Sequence, residues 1–123
     1  MNIIGGEKRG SKLALCASKA VRPTAQRTRE ALFNILQGGR FSLSLREATV
    51  IDLFAGTGAV GLEALSRGAR SCVFVEQDQD ALQTLQANIS KLKLEDCARI
   101  LAKDARQIHR WAGPRADLVF ADP

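Results

Sequence analysis

The 123-residue sequence predicts an α/β protein, a parallel sheet with helices on both faces, and three observations carry that prediction. From Thr49 onward, short apolar runs alternate with stretches whose apolar residues recur at helical spacing. The first run, "TVIDLF", passes through a glycine-rich turn, "AGTG", into the first of those stretches. Strands separated by helices need crossover connections, so they lie parallel, buried on both sides, with ligands at their carboxyl ends.

Each element follows in order. Between Met1 and Leu15, "NIIGG" and "SKLAL" flank a polar, glycine-bearing stretch and predict a small hairpin. After Pro23, Thr24 is the expected N-cap of a helix whose apolar face is Ala31, Leu32, Ile35 and Leu36, ending at Gly38-Gly39. "TVIDLF" is the first strand, "GAVGLEALSRG" a helix closed by Gly68, and "SCVFVE" the second strand. Asp78 caps a helix with Leu82, Leu85, Ile89 and Leu92 on one core-facing stripe. "ARILA" is the third strand, a short helix covers Asp104 to Arg110, and "ADLVFA" is the fourth strand. No repeat exists beyond the recurring strand and helix. The expected organisation is an N-terminal hairpin-and-helix extension over 1–40 and a nucleoside-binding domain over 41–123.

Composition excludes several function classes. With 46% apolar and 25% charged residues, the chain has the make-up of one globular domain. Cys16, Cys72 and Cys97 include no CxxC pair, so neither a disulfide framework nor a zinc knuckle is indicated, and a cytoplasmic setting is expected. No apolar stretch approaches the roughly 18 residues of a membrane span, and the N-terminus lacks a signal-peptide core. His109 is the only histidine, so no metal site is expected. Trp111 reads as a packed ring.

The net charge of +5 is unevenly spread: residues up to Arg40 carry a balance of +6 and the remainder a balance of −1. A basic N-terminal segment ahead of a slightly acidic domain is either a solvated face or a polyanion-binding surface.

The strand ends hold the chemistry. Gly56, Gly58 and Gly61 fit G-x-G-x-x-G between a strand and a helix, the pattern that lets backbone approach a nucleotide-type ligand. Glu76, 20 residues beyond Gly56 at the end of the second strand, can accept hydrogen bonds from the hydroxyls of a ribose. The same fingerprint serves a dinucleotide. Asp52, four residues before Gly56, would repel a pyrophosphate yet suits the ammonium and sulfonium charges of S-adenosylmethionine. Asp104 can accept from the amine of an adenine, or merely cap a helix.

"RPTAQRTREALFNIL", "VIDLFAGTGAVGLEALSRGA", "FVE", the terminal "FADP" and the opening "NIIGGEKRG" together resemble the RsmD family of small-subunit ribosomal RNA guanine-N2 methyltransferases. The resemblance implies a Rossmann-like class I methyltransferase fold, of which this chain holds the N-terminal half. It further implies S-adenosylmethionine as methyl donor and a guanine amine of ribosomal RNA, free or in a small-subunit particle, as acceptor. Asp52, Gly56 and Gly58 would then cradle the methionine part, Glu76 the ribose, and Asp104 with Ala105 the adenine edge. Phe54, Ala55, Thr57 and Gln77 complete that set. Thr57 stands where the family often has serine, and Thr28 where it usually has valine.

By the same resemblance, Asp122 and Pro123 begin an Asp-Pro-Pro-aromatic loop whose acceptors hold the target amine in line with the methyl. The second proline and the aromatic are missing, so a chain truncated at its C-terminus is expected, without turnover of its own. "DLVFA" would then be an open edge able to pair with another copy. The basic segment acquires a use as an RNA contact, through Lys8, Arg9, Lys12, Arg22, Thr24, Arg27 and Arg29. The competing readings are an NAD-dependent oxidoreductase, an adenine-N6 DNA methyltransferase, and a non-catalytic RNA-binding remnant.

Overall fold

In the computed structural model, residues 1–16, 25–38 and 44–123 are described. The elements are α1 (Gln26–Leu36), β1 (Thr49–Asp52), α2 (Ala59–Ser66), β2 (Ser71–Glu76), α3 (Gln79–Lys91), β3 (Ala98–Ala102), a 3₁₀ turn (Ala105–Gln107) and β4 (Leu118–Phe120). The four strands are parallel in the order β3-β2-β1-β4. The chain therefore builds outward from β1 to β3, then returns to the other side of β1. That reversal opens a crevice at the carboxyl ends of β1 and β4, where Asp52 pairs in register with Phe120.

Alternation along the strands sorts two cores. Val50, Cys72, Phe74 and Phe120 face the helices and join Phe33, Leu62, Leu65, Leu85 and Ile89 in the larger cluster. Ile51, Val73 and Val75 face the other way, against Leu101, Ile108 and Trp111. The central strand β2 reads as a continuous apolar run because both of its faces are covered. On the second face, among the described residues, the cover is the 3₁₀ turn and the loop around Trp111.

Helix α2 is buried on every side, Glu63 and Ser66 included. Buried polar groups need partners, and the N-terminal stretch supplies them. Glu63 accepts from the amides of Ile4 and Gly5 at 2.9 Å each and from Arg67 Nε at 2.8 Å, while Arg29 Nε stands 3.3 Å away. The Lys8 amide donates to Ser66 Oγ, and that hydroxyl donates to the Gly5 carbonyl. These contacts explain one departure from expectation. The expected hairpin is reduced to a single antiparallel bridge, Asn2 with Lys12, with cross-strand bonds from the Ile3 amide to the Ser11 carbonyl and from the Gly10 amide to the Ile3 carbonyl, while the amides of Ile4, Gly5, Glu7 and Lys8 between them donate to α2.

Helix α1 departs too. Its inward residues are Arg29, Leu32, Phe33 and Leu36, one stripe at helical spacing, whereas Ala31 and Ile35 face solvent. A charged Arg29 disguises that stripe in the sequence; buried and paired with Glu63, it belongs to it. The guanidinium of Arg67 lies 4.9 Å over the Phe33 ring, and Phe33 meets Phe120 at 5.8 Å. The predicted cap Thr24 lies outside the described residues, as does the boundary at residue 40.

Helix α3 starts as predicted, with Asp78 accepting from the Ala81 amide at 2.9 Å. Leu85, Ile89 and Leu92 are core, and Leu82 is half-buried. Asn88 shares the stripe and is buried. It pairs with both backbone groups of Ala14, and its Nδ2 also donates to the Thr57 carbonyl at 2.9 Å. After β3, Asp104 caps a single 3₁₀ turn and the expected helix goes no further, since the chain turns to pack Trp111 on the second face.

Neutralising Glu63 strands a buried guanidinium. Glu63→Gln is expected to cost about 3–5 kcal/mol, read as a lower urea midpoint with the slope unchanged. Adding Arg29→Met should recover part of that loss.

Candidate functional site

The turn after β1 is built for close approach. Gly56 and Gly58 have φ of 57° and 93°, and Gly58 is the left-handed N-cap of α2. A Cβ at Gly61 would stand 2.3 Å from Phe74, so the third glycine of the fingerprint seats α2 on the sheet. The spacing between Gly56 and Glu76 is a direct contact: the Gly56 amide donates to Glu76 Oε1 at 2.7 Å. Glu76 Oε2 accepts from the amides of Gln77 and Asp78 at 2.9 Å each. Three backbone donors thus fix that carboxylate at the end of β2.

Asp52 is treated differently. It sits at the end of β1 at 3% exposure, and its Oδ2 has no hydrogen-bond partner among the described residues. Its carboxyl is pushed up to about 7, mainly by burial, with the amides of Gly61 and Phe54 pulling it down and the neighbouring charges of Glu76 and Asp122 raising it. The end of β1 therefore holds a carboxyl group with one oxygen in want of a donor. Asp122 and Pro123 follow β4, the strand paired with β1, and both are exposed.

Other predicted residues are spread more widely. Asp104 accepts from the Arg106 amide and pairs with its guanidinium, contacts that hold its carboxyl below the usual range, with the side-chain bonds first. Its capping role is thus realised, beside half-buried Ala105. Of the expected RNA contacts, Arg9, Lys12 and Arg27 are exposed, and Lys8 is half-buried at the end of α2 remote from the glycine turn. Arg29 is corrected: it is fully buried against Glu63 and donates to the Asn2 carbonyl, out of reach of a phosphate. Arg22 and Thr24 lie outside the described residues.

Glu63 and Asn88 escaped the sequence reading. Their signal was a polar residue on an otherwise apolar helix face. Among the described residues, no group of three or more His, Cys, Asp or Glu is placed to hold a metal, and no helix is long and apolar enough to cross a membrane. A cavity of about 580 Å³ lies at the other end of the sheet, between Gly6, Leu45 and Arg67.

A family model described as conserved hypothetical protein 95 matches residues 1–123. The chain belongs to this family, the RsmD family. YlbH of Bacillus subtilis is 37% identical over the whole chain, which spans 66% of it. Ribosomal RNA small subunit methyltransferase D of Escherichia coli is 40% identical, again over the whole chain, which spans 59% of it. The solved structure of yhhF from Escherichia coli superposes with a TM-score of 0.84 at 37% identity, covering all of this chain and 63% of that one. This member of the RsmD family thus carries part of the class I methyltransferase fold and spans about three fifths of the length of its relatives.

That fold generally serves S-adenosylmethionine, and the groove fits such a ligand. An orphaned carboxylate oxygen at Asp52 suits an ammonium group, and an anchored carboxylate at Glu76 suits a pair of hydroxyls.

Asp52 has a testable signature. Because its folded value near 7 exceeds the unfolded value of 3.8, the folded state holds the proton longer. Its contribution to stability is therefore greatest below about pH 4, falls through about pH 7, and is level above that. In urea unfolding at stepped pH, Asp52→Asn should lose that decline relative to the unsubstituted chain.

Proposed function

We propose that this chain is the cofactor-binding part of an S-adenosylmethionine-dependent methyltransferase that modifies the exocyclic amine of a guanine in small-subunit ribosomal RNA. The observation that carries the reading is the unpartnered Oδ2 of buried Asp52 at the carboxyl end of β1, beside β2, whose end holds the backbone-anchored Glu76. Relatives named as ribosomal RNA methyltransferases support the choice of RNA, and a substrate of that kind sets the work in the cytoplasm.

In this reading the bound cofactor supplies an electrophilic methyl group on a positively charged sulfur. The residues do the rest. Asp52, ionised, holds the ammonium end, and the Gly56 to Gly58 backbone lies along the methionine part with Phe54, Ala55 and Thr57. Glu76, beside Gln77, accepts from the ribose hydroxyls through lone pairs its three amides leave free. Asp104 and Ala105 border the adenine. Asp122 and Pro123 lie across the crevice, where the carboxylate and a carbonyl can accept from the target amine. An exocyclic amine is a weak nucleophile because its lone pair is delocalised into the ring, so fixing its hydrogens on acceptors favours the geometry that attacks in line.

Calorimetry with S-adenosylhomocysteine and with NADH tests the reading. The homocysteine nucleoside should bind and raise the melting point, and its affinity should strengthen as pH rises through about 7 with the ionisation of Asp52. Asp52→Asn should weaken binding about 10- to 100-fold and abolish that pH dependence. NADH binding with the nucleoside excluded would overturn the assignment. Transfer of labelled methyl to small-subunit particles from the RsmD relatives' hosts, assayed with this chain beside a full-length relative, tests the acceptor.

A further inference from the structure

The face of the sheet away from the helices carries a second feature that the cofactor groove does not use. A cavity of about 240 Å³ opens there, floored by Val73 and Leu101 and rimmed by Arg99, Lys103 and Arg110. The three cations are exposed, and none of them makes an ion pair among the described residues. Their neighbour Arg106 contrasts with them, since Asp104 neutralises it. Three uncompensated positive charges round one small concavity repel each other unless an anion joins them.

The rim is held in shape before any ligand arrives. Trp111 donates from Nε1 to the Pro114 carbonyl at 2.7 Å, and Gly113 packs so tightly on the indole that a Cβ there would stand 2.4 Å from Cζ2. The loop bearing Arg110 is thereby clamped to the apolar second core. The volume is below the roughly 300–1,000 Å³ of a pocket for a drug-sized ligand, so it suits a phosphate with part of its sugar. Arginine forks match phosphate oxygens in pairs, and the apolar floor accepts the carbon side of a ribose.

We propose that the cleft between Arg99, Lys103, Arg110 and the Trp111 loop binds the phosphodiester backbone of RNA. Its location agrees with that use: Lys103 is the residue before Asp104, so the cleft begins at the rim of the cofactor groove. Lys8, by contrast, docks at the far end of α2. Only the choice of RNA over another phosphodiester polymer rests on the methyltransferase reading.

The test is a salt titration. Fluorescence anisotropy with a labelled small-subunit ribosomal RNA fragment would compare the chain with its Arg99→Gln/Lys103→Gln/Arg110→Gln variant across ionic strengths. Each lost phosphate contact lowers the log-log salt slope by about 0.7–0.9, so the triple variant should lose about two units of slope and bind at least about tenfold more weakly at low salt. A control triple, Arg46→Gln/Lys91→Gln/Lys93→Asn, removes equal charge elsewhere and should leave the slope nearly unchanged. Arg99→Lys/Arg110→Lys should keep the slope. Equal losses in both triples, or none in the first, overturn the proposal, as does saturation by inorganic phosphate alone without competition from RNA. Should the triple variant fail to fold by circular dichroism, Arg99→Gln and Arg110→Gln singly should each lower the slope by about 0.7. Nucleoside binding is scored separately, so its failure would leave this comparison intact.

Discussion

One buried carboxylate, Glu63, conditions much of this architecture. It lies in the middle of a helix with no exposed face, and such a helix exists only if something other than water covers its outer side. The N-terminal stretch is that cover, attached through two amides to Glu63 and through further bonds to Ser66. Arg29 and Arg67 balance the charge from α1 and from the helix itself. Remove the acid and the cover, the first helix and the sheet lose their common point of attachment. Burying an ion pair is seldom worth much in stability; here it decides where three segments of chain meet.

The crevice above that attachment distributes its two central acids unequally. Glu76 is held in place by three backbone donors and keeps lone pairs for a ligand. Asp52 is buried with an oxygen unmatched, poised near neutrality between its two protonation states. A rigid group can define orientation, while a group with an unmet demand can reward occupancy. The order of the strands puts both on the same rim, because β1 and β2 are adjacent and parallel and each acid stands at a carboxyl end.

Much of this was legible in the sequence, and the reasons are local. Strand β2 announces itself as an unbroken apolar run, and the Gly56 to Glu76 interval turned out to be a bond because spacing along a strand-turn-helix unit is nearly invariant in space. The Asp78 cap was equally readable. What failed was everything that depends on a distant partner. Arg29 looks like a surface cation because nothing within its own helix reveals Glu63; with it set aside, Leu32 and Leu36 are correctly on the apolar face but Ala31 and Ile35 are wrongly added to it. The hairpin is shorter than its alternating residues suggest for the same reason: its ends pair across, but the amides of Ile4, Gly5, Glu7 and Lys8 in its turn reach α2, which the local sequence does not show. Trp111 was rightly read as packing, yet the cations around it drew no notice in a half whose total charge is slightly negative.

Asn88 shows how such long-range ties are encoded. Its amide meets Ala14 through both the N–H and the carbonyl of that residue, as an adjoining peptide unit would, and it also reaches the Thr57 carbonyl. Recognition of main-chain atoms is blind to the side chain attached to them. Position 14 can therefore drift among residue types without loosening the joint, and the whole specification of this three-way fastening is written at a single letter of the alphabet, seventy-four places downstream.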